Sequence, residues 1–202
     1  MSNAVSSTIS TYAERLLHGL ALSIAEKGYV NTTIADIVRH AKVSRRTFYE
    51  CFVDKRACLL YSYQYTSLAT FEHVSAAIAH AWQQSDQFAI HVHHGVITFI
   101  EAVKTRPRYM YVLMSEILLI DADGLTLRRN IMNHFSELLQ QVVQHAMPER
   151  IISPLLTTAL VGAMNEMVLW AVEQNTPQAF EALVEPMQQM IVSVAALATR
   201  RL

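Results

Sequence analysis

Apolar residues recur at three- and four-residue intervals along most of the chain, the period of helices buried on one side. Ile9, Tyr12, Leu16, Leu20 and Ile24 mark a first helix over about 8–27, and Gly28 is placed to stop it. Ile34, Ile37 and Ala41 fall on one face of a short second helix, and Phe48 and Phe52 on one face of a third. A long fourth helix over about 54–83 carries Leu59, Leu60, Tyr63, Leu68, Phe71 and Ile78. Further helices are expected over about 87–105, 107–120, 123–146, 153–174 and 177–199, with Pro107 suited to a first turn. No strand pattern, repeat or low-complexity tract interrupts this series. Five glycines and five prolines, mostly at the breaks, complete an all-α reading.

The stretch from Thr33 to Lys55 is the most specific. Thr33 can cap the second helix, with Asp36 at the spacing of a capping box; Ser44 can cap the third and Asp54 the fourth. Lys42 and Val43 form the turn between the first two, with Val43 pointing inward. At about 100° per residue, Arg46 and Glu50 lie opposite the two phenylalanines. Thr47 and Tyr49 flank them, and Arg45 stands at the N-terminal end. A short helix pinned by two rings, with arginine, threonine and tyrosine outward, suits a DNA major groove. Arginine grips guanine O6 and N7 through two hydrogen bonds, while hydroxyls and lysine hold phosphates. Between residues 39 and 56 the bases are Arg39, Lys42, Arg45, Arg46, Lys55 and Arg56, against Glu50 and Asp54. Charge alone would fit any solvated face; two caps, a turn and an aromatic anchor in this order favour DNA binding. Glu50 either pairs with Arg46 one turn earlier or accepts from a cytosine amino group, the ion pair being the plainer reading.

The same residues carry a family resemblance. Gly28-Tyr29, Thr32-Thr33-Ile34, Ile37, Ala41-Lys42-Val43-Ser44, Thr47-Phe48-Tyr49, Phe52 and Asp54-Lys55 resemble the N-terminal domain of TetR/AcrR-type bacterial transcriptional regulators, over about residues 8–60. Lys42 departs from the pattern, where the family usually has glycine; a positive φ there would cost about 1 kcal/mol. The resemblance implies phosphate contacts from Thr33, Tyr49 and Lys55, and base or mixed contacts from Ser44, Arg45, Arg46 and Thr47. It also implies a helix-turn-helix DNA-binding domain over 1–53, followed by a ligand-binding and dimerisation domain over 54–202. The mechanism it implies is a repressor bound to a palindromic operator as a homodimer. An effector in the C-terminal bundle would tilt the fourth helix, change the spacing of the recognition helices and relieve repression.

Composition agrees with a two-part molecule. The net charge is −1, so no general affinity for polyanions is expected. Residues 1–65 nevertheless hold eight basic and five acidic side chains, a local +3, leaving −4 on the remainder. No signal peptide is expected from the polar opening, and Ser2-Asn3-Ala4 is either native or an expression scar. The chain is therefore read as cytoplasmic, which gives the acceptor pattern Asn31-Thr32-Thr33 no significance. Cys51 and Cys58 are expected to be reduced packing residues, two turns apart if on one helix. Ile151 to Val172 is apolar and long enough to span a bilayer, but Pro154, Asn165 and Glu166 interrupt it. A helix buried on most sides, without a membrane, is the expectation.

The last two helices are strongly apolar. Leu155, Leu156, Ala159, Leu160, Ala163, Met167 and Trp170 line one, and Leu183, Met187, Met190, Val194 and Leu197 the other. Two such helices from each of two chains could form a four-helix homodimer interface, as the resemblance also implies. Asn165 and Glu166 are either a structural hydrogen-bonding pair or polar handles in a ligand cavity, since a carboxylate there must be paired, hydrated or protonated. Tyr109, Tyr111, Met110, Met114, Phe135 and Trp170 could wall that cavity around an apolar or aromatic effector, or simply be core. His91 and His94 have a spacing that could bind a metal, but no further ligand set accompanies them. Surface or hydrogen-bonded histidines, and no metal or cofactor, are expected. The chain offers no GxGxxG, P-loop, HExxH or GxSxG motif, so it is not read as an enzyme. The alternative function is a helix-turn-helix adaptor or co-activator acting through another protein.

Overall fold

The computed structural model describes residues 2–200, and it divides into two compact units. One comprises residues 1–66 with 108–127, the other residues 67–107 with 128–202. The element order is α1 (Ser2–Asn31), α2 (Ile34–Ala41), α3 (Arg45–Cys51), α4 (Lys55–Gln84), α5 (Phe88–Lys104) and α6 (Pro107–Glu116). After a 3-10 turn at Ile117–Leu119 come α7 (Ala122–Ala146), α8 (Pro154–Gln174), α9 (Pro177–Glu181) and α10 (Val184–Ala196). The all-α expectation holds. The side chain of Ile9 lies outside the described residues.

In the first unit α1 runs longer than its pattern suggested and breaks where glycine was placed to stop it. Gly28 has φ 77° and ψ 163°, a backbone no other residue adopts easily. Leu16, Leu20 and Ile24 from α1 are buried with Ile37, Ala41, Phe48, Cys58 and Leu59. Gly19 lets α1 and α2 approach closely, since a Cβ there would lie 2.4 Å from the Ile37 carbonyl oxygen. Asp121 opens α7 by accepting from the Asp123 N–H at 2.9 Å, and Arg56 bonds both Asp121 (2.7 Å) and Asp123. Tyr109 of α6 has its hydroxyl against that of buried Ser62.

The second unit has its core where Val74 and Ile78 of α4 meet Leu138 and Val142 of α7, with Phe71, Phe99 and Phe135 packed against them. Ser136 and Thr157, both buried, bond each other at 2.6 Å between α7 and α8. Two expectations fail here. The final helix is not continuous: Pro186 lacks the N–H that would reach the Ala182 carbonyl, and its ring would clash with it. The chain therefore turns between α9 and α10. Nor is α8 buried on most sides within one chain, for Leu155 is 80% and Trp170 48% exposed. By length and composition α8 could cross a membrane, though a single helix of this kind is weak support for one. A two-residue antiparallel pairing, β1 (Arg150–Ile151) with β2 (Thr199–Arg200), also appears where no strand was expected.

Candidate functional site

Local hydrogen bonding fixes the helix-turn-helix. The Thr33 hydroxyl accepts from the Asp36 N–H at 3.3 Å, and the Asp36 carboxylate accepts from the Thr33 N–H at 2.9 Å, completing a reciprocal cap. Lys27 adds an ion pair to Asp36 at 2.6 Å. Lys27 first, and Thr33 after it, hold the Asp36 carboxyl well below the usual carboxylate range. Helix α2 ends at Lys42, which does adopt a left-handed conformation (φ 53°, ψ 48°), and the Val43 N–H reaches back to the Val38 carbonyl at 3.1 Å. Ser44 then caps α3 by accepting from the Thr47 N–H at 3.0 Å, and the two hydroxyls lie 2.9 Å apart.

Helix α3 is anchored as its pattern required. Phe48 is fully buried and Phe52 nearly so, their rings 5.9 Å apart, and Phe52 packs on Tyr61 at 5.5 Å. Ser44, Arg45, Arg46, Tyr49 and Glu50 are exposed and Thr47 is half-buried. The Arg46 side chain is 89% exposed, and its Nε–H donates to Glu50 Oε1 at 2.9 Å. Of the two partners open to Glu50, the intramolecular one is present. Because it uses only Nε, both terminal nitrogens of the Arg46 fork remain free to meet a base edge.

Lys55, expected to meet a phosphate, is engaged within the chain. Its ammonium donates to the carbonyls of Tyr29 (2.7 Å), Thr32 (2.7 Å) and Val30 (3.4 Å), and it lies 4.2 Å from the Tyr29 ring centre. Three N–H donors meet three carbonyls, so Lys55 satisfies the end of α1 left open by the break at Gly28. Burial pushes its pKa down, with Glu116 opposing that shift. Sequence spacing gave no sign of this, because the carbonyl acceptors belong to no side chain.

Residues expected to wall a cavity are distributed over both units. Tyr109 and Met110 are buried and Met114 half-buried in the first. In the second, half-buried Phe135 sits between Phe71 (5.5 Å) and Phe99 (6.0 Å) against the core. Glu166 and Trp170 face outward and Asn165 is half-buried, so a carboxylate handle inside the bundle is not formed. Glu166 is exposed in the single chain, so its carboxylate carries no burial cost there. Among the described residues of the second unit, the buried polar atoms without a protein partner are Ser75 Oγ, Trp82 Nε1 and His91 Nδ1. His91 is wholly buried and its Nε2–H donates to the Ser85 carbonyl at 2.6 Å. Trp82 stacks on His145 at 4.4 Å. His93 instead meets Gln188 at 2.7 Å, so the three clustered histidines do not converge. Cys51 ends α3 and buried Cys58 lies in α4, so they share no helix; burial pushes both thiols up, against reactivity.

Comparison with known proteins supports the reading of the first unit. Residues 16–61 match the family model of bacterial regulatory proteins, tetR family. No curated protein matches the chain. Among solved structures, the fatty acid degradation regulator FadR from Bacillus halodurans superposes with a TM-score of 0.74 at 18% identity, over 89% of this chain and 93% of that one. FadR from Bacillus subtilis, in complex with stearoyl-CoA, gives 0.76 at 14% identity, over 90% and 98%. A TetR family transcription regulator from Marinobacter aquaeolei VT8 gives 0.70 at 16%, over 97% and 100%. At such identities these likenesses establish the fold, and the family model establishes the character of the helix-turn-helix.

Proposed function

We propose that this chain, TetR-type in its helix-turn-helix and in its fold, is a cytoplasmic repressor that binds a palindromic operator as a homodimer and is released by a small-molecule effector. The observation that carries the reading is α3, a helix anchored by two phenylalanines with Arg45, Arg46 and Tyr49 exposed. Its DNA-binding domain spans 1–53 and its ligand-binding and dimerisation domain 54–202. Arg45, Arg46, Ser44 and Thr47 meet bases or mixed groups, and Thr33 and Tyr49 meet phosphates. One such helix reads too few bases for useful affinity, so a second copy is needed. The exposed side of α8 (Leu155, Ala159, Ala163, Glu166, Trp170), with Val192 of α10 and Leu197 just after it, supplies its surface.

The effector is apolar or aromatic and lies in the second unit, where Trp82 and Phe135 pack against one core cluster and Trp82 Nε1 and His91 Nδ1 offer polar handles. The FadR of Bacillus subtilis is in complex with stearoyl-CoA, whose acyl chain is apolar though its CoA moiety is charged. The effector acts through α4, whose residues belong to both units, and must bind the DNA-incompetent state better. No enzymatic step is invoked.

Selection of duplexes from a random library, followed by mobility shift, tests the reading. The expected product is an inverted repeat, and Arg46→Ala should lose about 1–3 kcal/mol of discrimination at one position of each half-site. Recovery of no preferred duplex would return the chain to an adaptor role.

A further inference from the structure

A left-handed lysine in the turn raises the question of what holds it. Two side-chain hydrogen bonds from α1 converge there. Arg15 Nε–H donates to the Ala41 carbonyl at 3.1 Å and its Nη2–H to the Lys42 carbonyl at 2.6 Å. These are carbonyls at the C-terminal end of α2, which lack partners within the helix and carry its negative dipole end. Gly19, one turn further along α1, brings the backbone against Ile37 and Ala41 of the same last turn. Arg15 and Gly19 thus grip the segment 37–42 from one side, immediately before Ser44 opens α3.

We propose that Arg15 is the positioning residue of the DNA-reading helix. Its planar fork fixes the α2–α3 turn, and so the angle at which Arg45 and Arg46 are presented, in a chain whose turn has lysine where glycine would relax unaided. Arg15 itself touches no base. The proposal rests on the DNA-binding reading above.

The decisive variants are Arg15→Ala, Arg15→Gln and the double variant Arg15→Ala/Lys42→Gly, in the full chain. Each is measured by fluorescence anisotropy on two duplexes: one selected by the wild-type protein from a random library, and a scrambled duplex of equal composition. Arg15→Ala is expected to weaken the selected duplex at least tenfold and the scrambled one by less than threefold, because orientation matters only where bases are read. Lys42→Gly in the same chain should restore most of the loss, since glycine holds a left-handed turn without the clamp. Arg15→Gln, which keeps a donor but loses the fork, should fall between, and it carries the test if Arg15→Ala does not fold. Equal losses on both duplexes, no loss at all, or no recovery with glycine would overturn the proposal. A wild-type protein that selects no duplex would overturn the DNA-binding reading itself, and this inference with it.

Discussion

The two units differ in how far their polar groups are closed by bonds within the chain. In the first, backbone ends and charges are closed locally. Thr33 and Asp36 cap each other, Ser44 and Thr47 share hydroxyls, Arg15 and Lys55 satisfy the ends of α2 and α1, and Arg56 bonds two aspartates. In the second, Trp82 Nε1 and His91 Nδ1 are buried without a protein partner, as Glu116 Oε2 is in the first, and Leu155, Trp170 and Leu197 are exposed. On the proposed function, a reading head keeps one shape by committing most of its polar groups within the chain, while a sensing unit leaves some uncommitted until a ligand arrives.

The largest effects should come from breaking each half at its anchor. Phe48→Ala removes a ring with no exposure and should cost about 3–5 kcal/mol, read by chemical unfolding of the first unit. The double variant Leu155→Glu/Trp170→Glu should leave that unit folded but weaken self-association by more than about a hundredfold, about 2.7 kcal/mol, in sedimentation equilibrium. A dimer that survives it would show that the exposed apolar side of α8 does not pair. Lys55→Met leaves three carbonyls without their donor and should cost about 1–3 kcal/mol of stability. It should leave the salt dependence of DNA binding unchanged; a slope reduced by about one charge would show that Lys55 reaches a phosphate after all.

The smallest effect is a pH dependence. Lys27 and Thr33 hold the Asp36 carboxyl below its ordinary range, so the folded state releases this proton more readily than the unfolded chain. Its stabilising contribution is present above the ordinary value and disappears as acid carries the pH down through the folded one. Thermal melts should therefore drop below about pH 4, and Asp36→Asn should flatten the drop in that window.

Much of the first unit could be read before any coordinates. Caps and aromatic anchors are local: Thr33, Ser44 and Asp54 sit at fixed offsets from the N–H groups they serve, and Phe48 and Phe52 are one turn apart. Lys55 and Arg15 were not legible in this way, because each bonds carbonyls 23–27 residues away in sequence. The split between α9 and α10 had a visible cause in Pro186, hidden by an apolar pattern that runs through it. The ligand residues were least legible. Hydrophobic spacing finds a buried face, but it does not separate a half-buried Phe135 packed against the core from a Trp170 facing outward.

Gly19 has one further implication, for the gene. Every missense change at its codon adds at least a β-carbon, and the nearest room for one lies inside the Ile37 carbonyl. Random mutagenesis of this open reading frame should accordingly find codon 19 as barren as the codons for the arginines proposed to face DNA. A sequence-tolerance map would then register a site of regulatory failure that never approaches the operator.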